Sequence, residues 1–392
     1  MLAVNACGSG DASTGDSDES LTWSMWIGST QDQQAWQGVA DRVTAEKPGV
    51  TINLQGAPWS DYWTKLGTQL SSSNAPCIVS VQGPRLPQFA SELLPLDELI
   101  EESDFDTSGF ADVALASMKY DGEIYALPYD TGPAVLFTNA DAFAAAGVTP
   151  EPGWSVDDFE SAAEKLGPSM PIWAAAVGDG LMSISLAADG AEVLTSDGTI
   201  DPQADGFSDT LSWLAGLHEK GYSSSAQAND NSRDVFLTGK AATFMGGPWD
   251  ALDITSKADF TVGMVTLPEG DNAAPVFATG SGFGISQKCA SPEAAFDAIT
   301  VMTGEEALRS LAEDGRAYPS RTAVQSAWYE AAESTQGAKE ALDYALGHSQ
   351  PQPGSPHTEK FSMLLDQYMP TVINGDASVD QAIEEISRQL GD

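Results

Sequence analysis

Basic residues are scarce in this chain. Its 392 residues carry 17 Lys and Arg against 57 Asp and Glu, a formal net charge of -40. A surface so acidic repels nucleic-acid phosphates, so a nucleic-acid partner is not expected. The plain reading of the charge is a solvated surface that keeps an extracellular protein dispersed. Long apolar runs are also missing. No stretch of 18 or more apolar residues occurs, so no transmembrane helix is expected. Histidine and cysteine number three each. His218, His348 and His357 stand apart from one another and from the cysteines, in no zinc-binding spacing. No cofactor or metal is expected. The motifs H-E-x-x-H, G-x-S-x-G and G-x-x-x-x-G-K-[ST] are absent. The glycine run G-S-G-F-G at 280–284 lacks dinucleotide-binding spacing and opens a strand rather than a helix.

What is present reads as a two-domain α/β protein, since this length exceeds one ordinary core. L-T-W-S-M-W-I at 21–27, V-T-I-N-L at 50–54 and C-I-V-S-V at 77–81 are strand patterns. Helical patterns run between them at 32–46 and 60–72, the first stopped by Pro48-Gly49. This β-α-β-α-β order implies a parallel sheet covered by helices. Ligands bind such sheets beyond the carboxyl ends of the strands, which singles out loops 28–32, 55–59 and 82–85. Farther on, Ser155 and Asp158 form a capping box for a helix at 156–166. Strands follow at 241–245 and 282–286. Ser291-Pro292 opens a further helix, with Ser as the cap, and the last helix spans 379–390.

Cys7, in V-N-A-C-G-S-G, sits in a run that looks like a bacterial lipoprotein cleavage site. Only six residues precede it, fewer than the cationic start and apolar stretch of about 7–15 residues of such a signal. Residues 1–20 are therefore expected to be a truncated signal ending at a lipid-anchored Cys7, followed by a flexible polar linker. Cys77 and Cys289 then remain as an even pair, and a structural disulfide is expected. Ten Trp are present. Trp26, Trp59, Trp154 and Trp249 sit beside Gly, Pro or Asp in turns, where an indole can cover the C–H face of a sugar ring.

The order of five passages resembles the extracellular solute-binding proteins of ABC importers, most of all the carbohydrate-binding group related to maltose-binding protein. They are Y-D-G-E-I-Y-A-L-P-Y-D-T-G at 120–132, L-F-T-N-A-D-A-F-A-A-A-G-V at 136–148, F-L-T-G-K-A-A-T-F-M-G-G-P-W at 236–249, G-F-G-I-S-Q-K-C-A-S-P-E-A-A at 282–295 and L-A-E-D-G-R-A-Y-P-S-R at 311–321. Two positions depart from the family pattern: Cys77 follows Pro76 where Asp is common, and Thr138 replaces a tyrosine. The resemblance implies a two-lobed α/β periplasmic-binding-protein-like (type II) fold with a hinge and an interlobe cleft. Lobe one is expected at 21–128 plus 280–325, and lobe two at 131–279 plus 326–392. In that layout strand 282–286 runs antiparallel beside the third strand, bringing Cys289 near Cys77.

The resemblance further implies that Trp249 stacks on sugar and that Asp130, after the l-P motif, binds ligand. Arg85, Gln31, Asp32 and Trp59 fall in equivalent ligand loops. Ser281 and Gly282 lie at a lobe crossover, where backbone N–H groups would face ligand. Asp179 and Arg316 complete the expected set. The implied function is that of a monomeric, lipid-anchored receptor on the outer face of the cell membrane. It captures an oligosaccharide and presents it to ABC permease subunits, making and breaking no bond. Two alternatives stay open: a receptor for a peptide, polyamine or anion, and a glycoside hydrolase using a carboxylate pair.

Overall fold

The computed structural model describes residues 19–228 and 230–391. Cys7 and most of the expected linker lie outside the described residues. In chain order the strands that build the two lobes are β1 (Glu19–Trp26), β2 (Val50–Ala57), β3 (Ile78–Gln82), β4 (Ala126–Pro133), β5 (Val135–Asn139), β6 (Thr243–Gly246), β7 (Val262–Val265), β8 (Val276–Ile285) and β9 (Ser349–Pro351). The helices used below are α1 (Thr30–Glu46), α2 (Trp59–Ser71), α3 (Val156–Leu166), α4 (Gly180–Asp189), α5 (Pro292–Met302), α6 (Thr358–Ile373) and α7 (Val379–Gly391).

Lobe one is a sheet in the order β9-β8-β3-β1-β2, with β4 also paired to β8. The first three strands are parallel, as their α-helical connections require. β8 enters antiparallel, Ser281 opposite Gln82 and Ile285 opposite Ile78. Cys77 precedes β3 and Cys289 follows β8, so this register brings their Cα atoms to 4.5 Å, and a disulfide joins them. β1 buries Leu21, Trp23 and Met25, and Ser24 and Trp26 as well, because helices cover both faces of a central parallel strand. The chain enters the sheet earlier than the linker expectation allows. Glu19 N donates to Gly49 O at 2.7 Å, and Ser20 pairs with Thr51, so residues 19 and 20 belong to the strand.

Lobe two holds the antiparallel sheet β6-β5-β7 wrapped by helices. α3 starts at the expected capping box: Ser155 Oγ accepts from Asp158 N at 3.0 Å, and Asp158 Oδ2 accepts from Ser155 N at 3.0 Å. At α5 the cap differs from expectation. The Ser291 hydroxyl donates to Glu19 Oε2 at 2.8 Å and leaves the helix end without a side-chain cap. The pair ties α5 to the first residue of β1, a tertiary contact that local sequence does not announce.

Each lobe has its own core. Lobe one packs Trp23, Trp36, Trp63, Leu66, Val79 and Phe283. Lobe two packs Phe159, Trp173, Leu186, Phe207, Leu365 and Ile386 around the buried α4. A further cluster against β5 includes Ala312 and Tyr318, which the sequence reading assigns to lobe one. They are drawn across by Trp328, whose indole donates to Pro248 O at 3.1 Å, and by the 3.1 Å hydroxyl pair of Tyr318 and Tyr329. The chain passes between lobes along β4, along β8 and again between Leu311, in the lobe-one core, and Trp328, in the cluster against β5, where Pro319 bridges Asp130 of β4. β8 touches β9, β4 and β3 in turn, so the crossings meet at one seam.

Candidate functional site

A cavity of about 680 Å³ opens along that seam. Its lobe-one wall is aromatic and rigid. Trp26, at the end of β1, meets Trp59, Tyr62 and Trp63 with ring centroids 5.2 to 5.4 Å apart. Trp59 is the first residue of α2 and stays 40% exposed, so it presents indole to the cavity while Trp26 and Trp63 hold its edges. Behind them Tyr129 stacks on Phe283 at 4.8 Å and packs against Trp36 at 5.1 Å.

The floor is polar. Asp130 is 7% exposed, and its Oδ1 accepts from Ser281 N at 2.7 Å. Burial pushes its carboxyl up to about 7, against the opposing pull of Arg316 and the Ser281 bond. Arg316 Nε lies 3.1 Å from Asp32 Oδ1, an ion pair without hydrogen-bond geometry, and its guanidinium sits 5.2 Å over Trp36. Asp32 Oδ2 accepts from Gly28 N, and Asp32 N donates to Ser29 Oγ, capping α1. The strand-end loops are thus fixed before any ligand arrives.

Lobe two supplies Trp249, Phe244 and Met245 together with several carboxylates. Trp249 lies in the turn after β6, folded back over Gly247. A Cβ there would fall 2.3 Å from the indole, which is the local reason for G-G-P-W. Asp250 accepts from Gly247 N and, with Asp253, faces Arg233. Asp179, Asp230 and Asp366 line the cavity as an acidic group, close enough for the charges of the first two to act on Asp366. Asp366 is pushed up to about 7 by burial and then by the negative charges of Asp179, Asp230 and Glu359. Among the described residues no group of three or more His, Cys, Asp or Glu is arranged to hold a metal.

Eight of the ten expected ligand residues line the cavity: Trp249, Asp130, Gln31, Asp32, Trp59, Ser281, Asp179 and Arg316. The Ser281 N–H is engaged by Asp130, however, and does not face ligand as the crossover reading has it. Gly282 is packed inside the sheet, where a Cβ would meet Met118 Sδ at 2.6 Å and Leu127 O at 2.7 Å. Arg85 is 2% exposed behind the wall, and each of its three guanidinium nitrogens donates within the protein, to Glu359, Gln82 and Asp179. Trp154 leaves the aromatic set as well. Its indole donates to Thr266 O at 2.9 Å, in lobe two's core between Phe143 and Phe159. Sequence reasoning missed Tyr129, Phe244, Asp230 and Asp366. Tyr129 adjoins Asp130 and was within reach of the same motif; Asp366, mid-helix, carries no local signal.

Two lobes, a shared seam and a cavity with walls from both define a cleft-type binding receptor. The chain belongs to the bacterial extracellular solute-binding protein family, whose pattern it matches over residues 38–336. It is 26% identical over 272 residues to the maltodextrin-binding protein MdxE of Bacillus subtilis, covering 64% of this chain and 62% of that one. It is 22% identical over 405 residues to a galactooligosaccharide-binding protein of the same organism, covering 98% and 92%. The chain spans 61 or 62% of the length of several of its curated relatives. Among solved structures it is similar to an ABC substrate-binding protein of Listeria monocytogenes in complex with cycloalternan, with a TM-score of 0.86, 23% identity and coverage of 95% and 98%. The GacH receptor of Streptomyces glaucescens, solved unliganded and with acarbose, aligns with a TM-score of 0.80 at 20% identity, covering 95% and 98%.

Proposed function

We propose that this chain captures an oligosaccharide between its lobes and delivers it to an ABC permease, held at the outer face of the membrane by a lipid on Cys7. The observation that carries the reading is the pairing of Trp59 and Trp26 on one wall with Trp249 and Phe244 on the other, around polar groups already oriented by the protein. Flat apolar faces and fixed hydrogen-bonding groups are what a sugar ring requires. Similarity to maltodextrin- and galactooligosaccharide-binding proteins supports the same class of ligand. Capture works by differential affinity: a ligand that touches both walls only when they approach shifts the population toward the closed form.

Calorimetry of the full chain against malto- and galacto-oligosaccharides tests this. At least one series is expected to bind, and Trp249→Ala is expected to lower affinity by about tenfold or more, the worth of one stacked aromatic contact. Unchanged affinity in the variant removes Trp249 from the site. A second reading has one observation in its favour. The carboxyls of Asp130 and Asp366 are both pushed up to about 7, chiefly by burial, as the general acid of a glycosidase is raised. Incubating the same oligosaccharides with pure protein decides it, since shortened products establish hydrolysis and overturn the receptor reading. In a receptor a neutral carboxyl instead donates a hydrogen bond to a ligand hydroxyl.

A further inference from the structure

Arg85 lies in the turn after β3, on lobe one, yet both of its charged partners belong to lobe two. Its Nε donates to Glu359 Oε2 at 2.7 Å and its Nη2 to Asp179 Oδ2 at 2.9 Å. Nη1 donates to Gln82 Oε1 on its own lobe. The flat guanidinium lies 5.3 Å from the centroid of Trp59 and 5.0 Å from that of Trp63. One buried side chain therefore joins the exposed ring of the lobe-one wall to the acidic face of lobe two. Burial works against its charge, but Asp179 and Glu359 prevail and raise its pKa, so it stays cationic. A guanidinium suits this place because a planar fork serves two carboxylates and still stacks on rings.

The two ion pairs are mechanically unlike. Glu359 is in the first turn of α6, which is pinned to the turn holding Arg85: Thr358 Oγ1 and Ser355 N both donate to Pro84 O, at 2.7 and 3.1 Å. That contact belongs to the pivot. Asp179 comes from the start of α4, outside that pinned contact, and faces the cavity at 32% exposure. Take Arg85 away, and Asp179, Glu359 and Asp366 face one another as like charges.

We infer that Arg85 is an interlobe tie: it backs Trp59 and draws Asp179 inward, setting the balance of open and closed forms without touching ligand. The inference rests on the receptor reading for its purpose, but its test needs no ligand. Small-angle scattering and interlobe distances are measured on the ligand-free full chain, as wild type, Arg85→Met, Arg85→Lys, Asp179→Asn and the Met/Asn double variant. The closed-to-open ratio is expected to fall about tenfold in Arg85→Met and in Asp179→Asn, the size of a typical coupling between states. The double variant is expected to fall no further than Arg85→Met, and Arg85→Lys to recover part of the loss. Wild-type distances in folded Arg85→Met overturn the tie, as does an Asp179→Asn effect that adds fully to it. If Arg85→Met fails to fold, wild-type distances in Asp179→Asn alone overturn it. Failure to bind any oligosaccharide strikes the proposed function and leaves this result untouched.

Discussion

The two lobes face one cavity but hold their walls by different means. Lobe one does it with rings: Trp23, Trp26, Trp36, Trp59 and Trp63 fall within its first β-α-β-α stretch, and contacts of 5 to 6 Å run from the core to the cavity. Lobe two does it with charge. Its wall adds Asp179, Asp230 and Asp366 to Trp249, Phe244 and Met245, and part of that charge is balanced from the other lobe by Arg85. Stacked rings keep their geometry whatever sits in the cleft. A wall of carboxylates responds to pH and to the distance of its counter-ion. The difference teaches that this cleft has a fixed platform and an adjustable jaw.

The largest expected effect breaks the comparison at the covalent level, because the disulfide lies wholly in lobe one. Cys77 and Cys289 are 212 residues apart, and closing so long a loop contributes about 5 kcal/mol in the chain-entropy account. The Cys77→Ser, Cys289→Ser double variant is expected to unfold at clearly lower urea. Hydrogen exchange should show lost protection first at β1, β3 and β8, while α3 and α4 keep theirs. Equal loss in both lobes would mean that they unfold as one cooperative unit and that the staple serves the whole molecule.

Asp366 offers a smaller and opposite effect in lobe two. The native carboxyl keeps its proton to about pH 7, whereas an unfolded chain releases it near 3.8. Between those values the native state binds more protons, so stability falls as pH rises, and the whole penalty is present above pH 7. Three pKa units correspond to about 4 kcal/mol, and partial exposure cuts that to about 1–2 kcal/mol. Asp366→Asn is therefore expected to be more stable than wild type at pH 8 and equal to it below about pH 4, in paired denaturant titrations. A gain that does not change with pH would show that packing, rather than charge, governs this position.

Local features were legible in the sequence. Hydrophobic period, Pro and Gly stops and the Ser155–Asp158 box locate the elements read from them within three residues, except that β8 begins six residues before the strand expected at 282–286, so G-S-G-F-G lies inside it; β4, β5, α4 and α6 went unread. The antiparallel approach of β8 to β3 follows from the resemblance rather than from the residues themselves. What stayed hidden depends on partners far along the chain. Loop position correctly brings Arg85 to the strand ends but cannot reveal that Asp179 and Glu359, 94 and 274 residues away, accept its hydrogen bonds. Trp154 looks exposed in a G-W-S turn until Thr266, 112 residues on, accepts its indole N–H.

The smallest expected effect asks whether lobe two's secondary structure is as self-sufficient as its sequence suggests. The box at Ser155 is local: both hydrogen bonds span three residues, and Asp158, held down from its ordinary pKa by the Ser155 bonds, is ionised at neutral pH. Ser155→Ala is expected to cost about 1 kcal/mol, the usual worth of a lost N-cap, with the change confined to the first turn of α3 in hydrogen exchange. Ser155 also bridges Glu269, and Val156 N donates to Glu269 O at 3.0 Å, so a tertiary strut meets the cap at the same residue. A loss well above 2 kcal/mol, or one that spreads to the 266–270 segment, would show that the strut depends on the cap. The jaw would then be held from outside the cleft as well as across it.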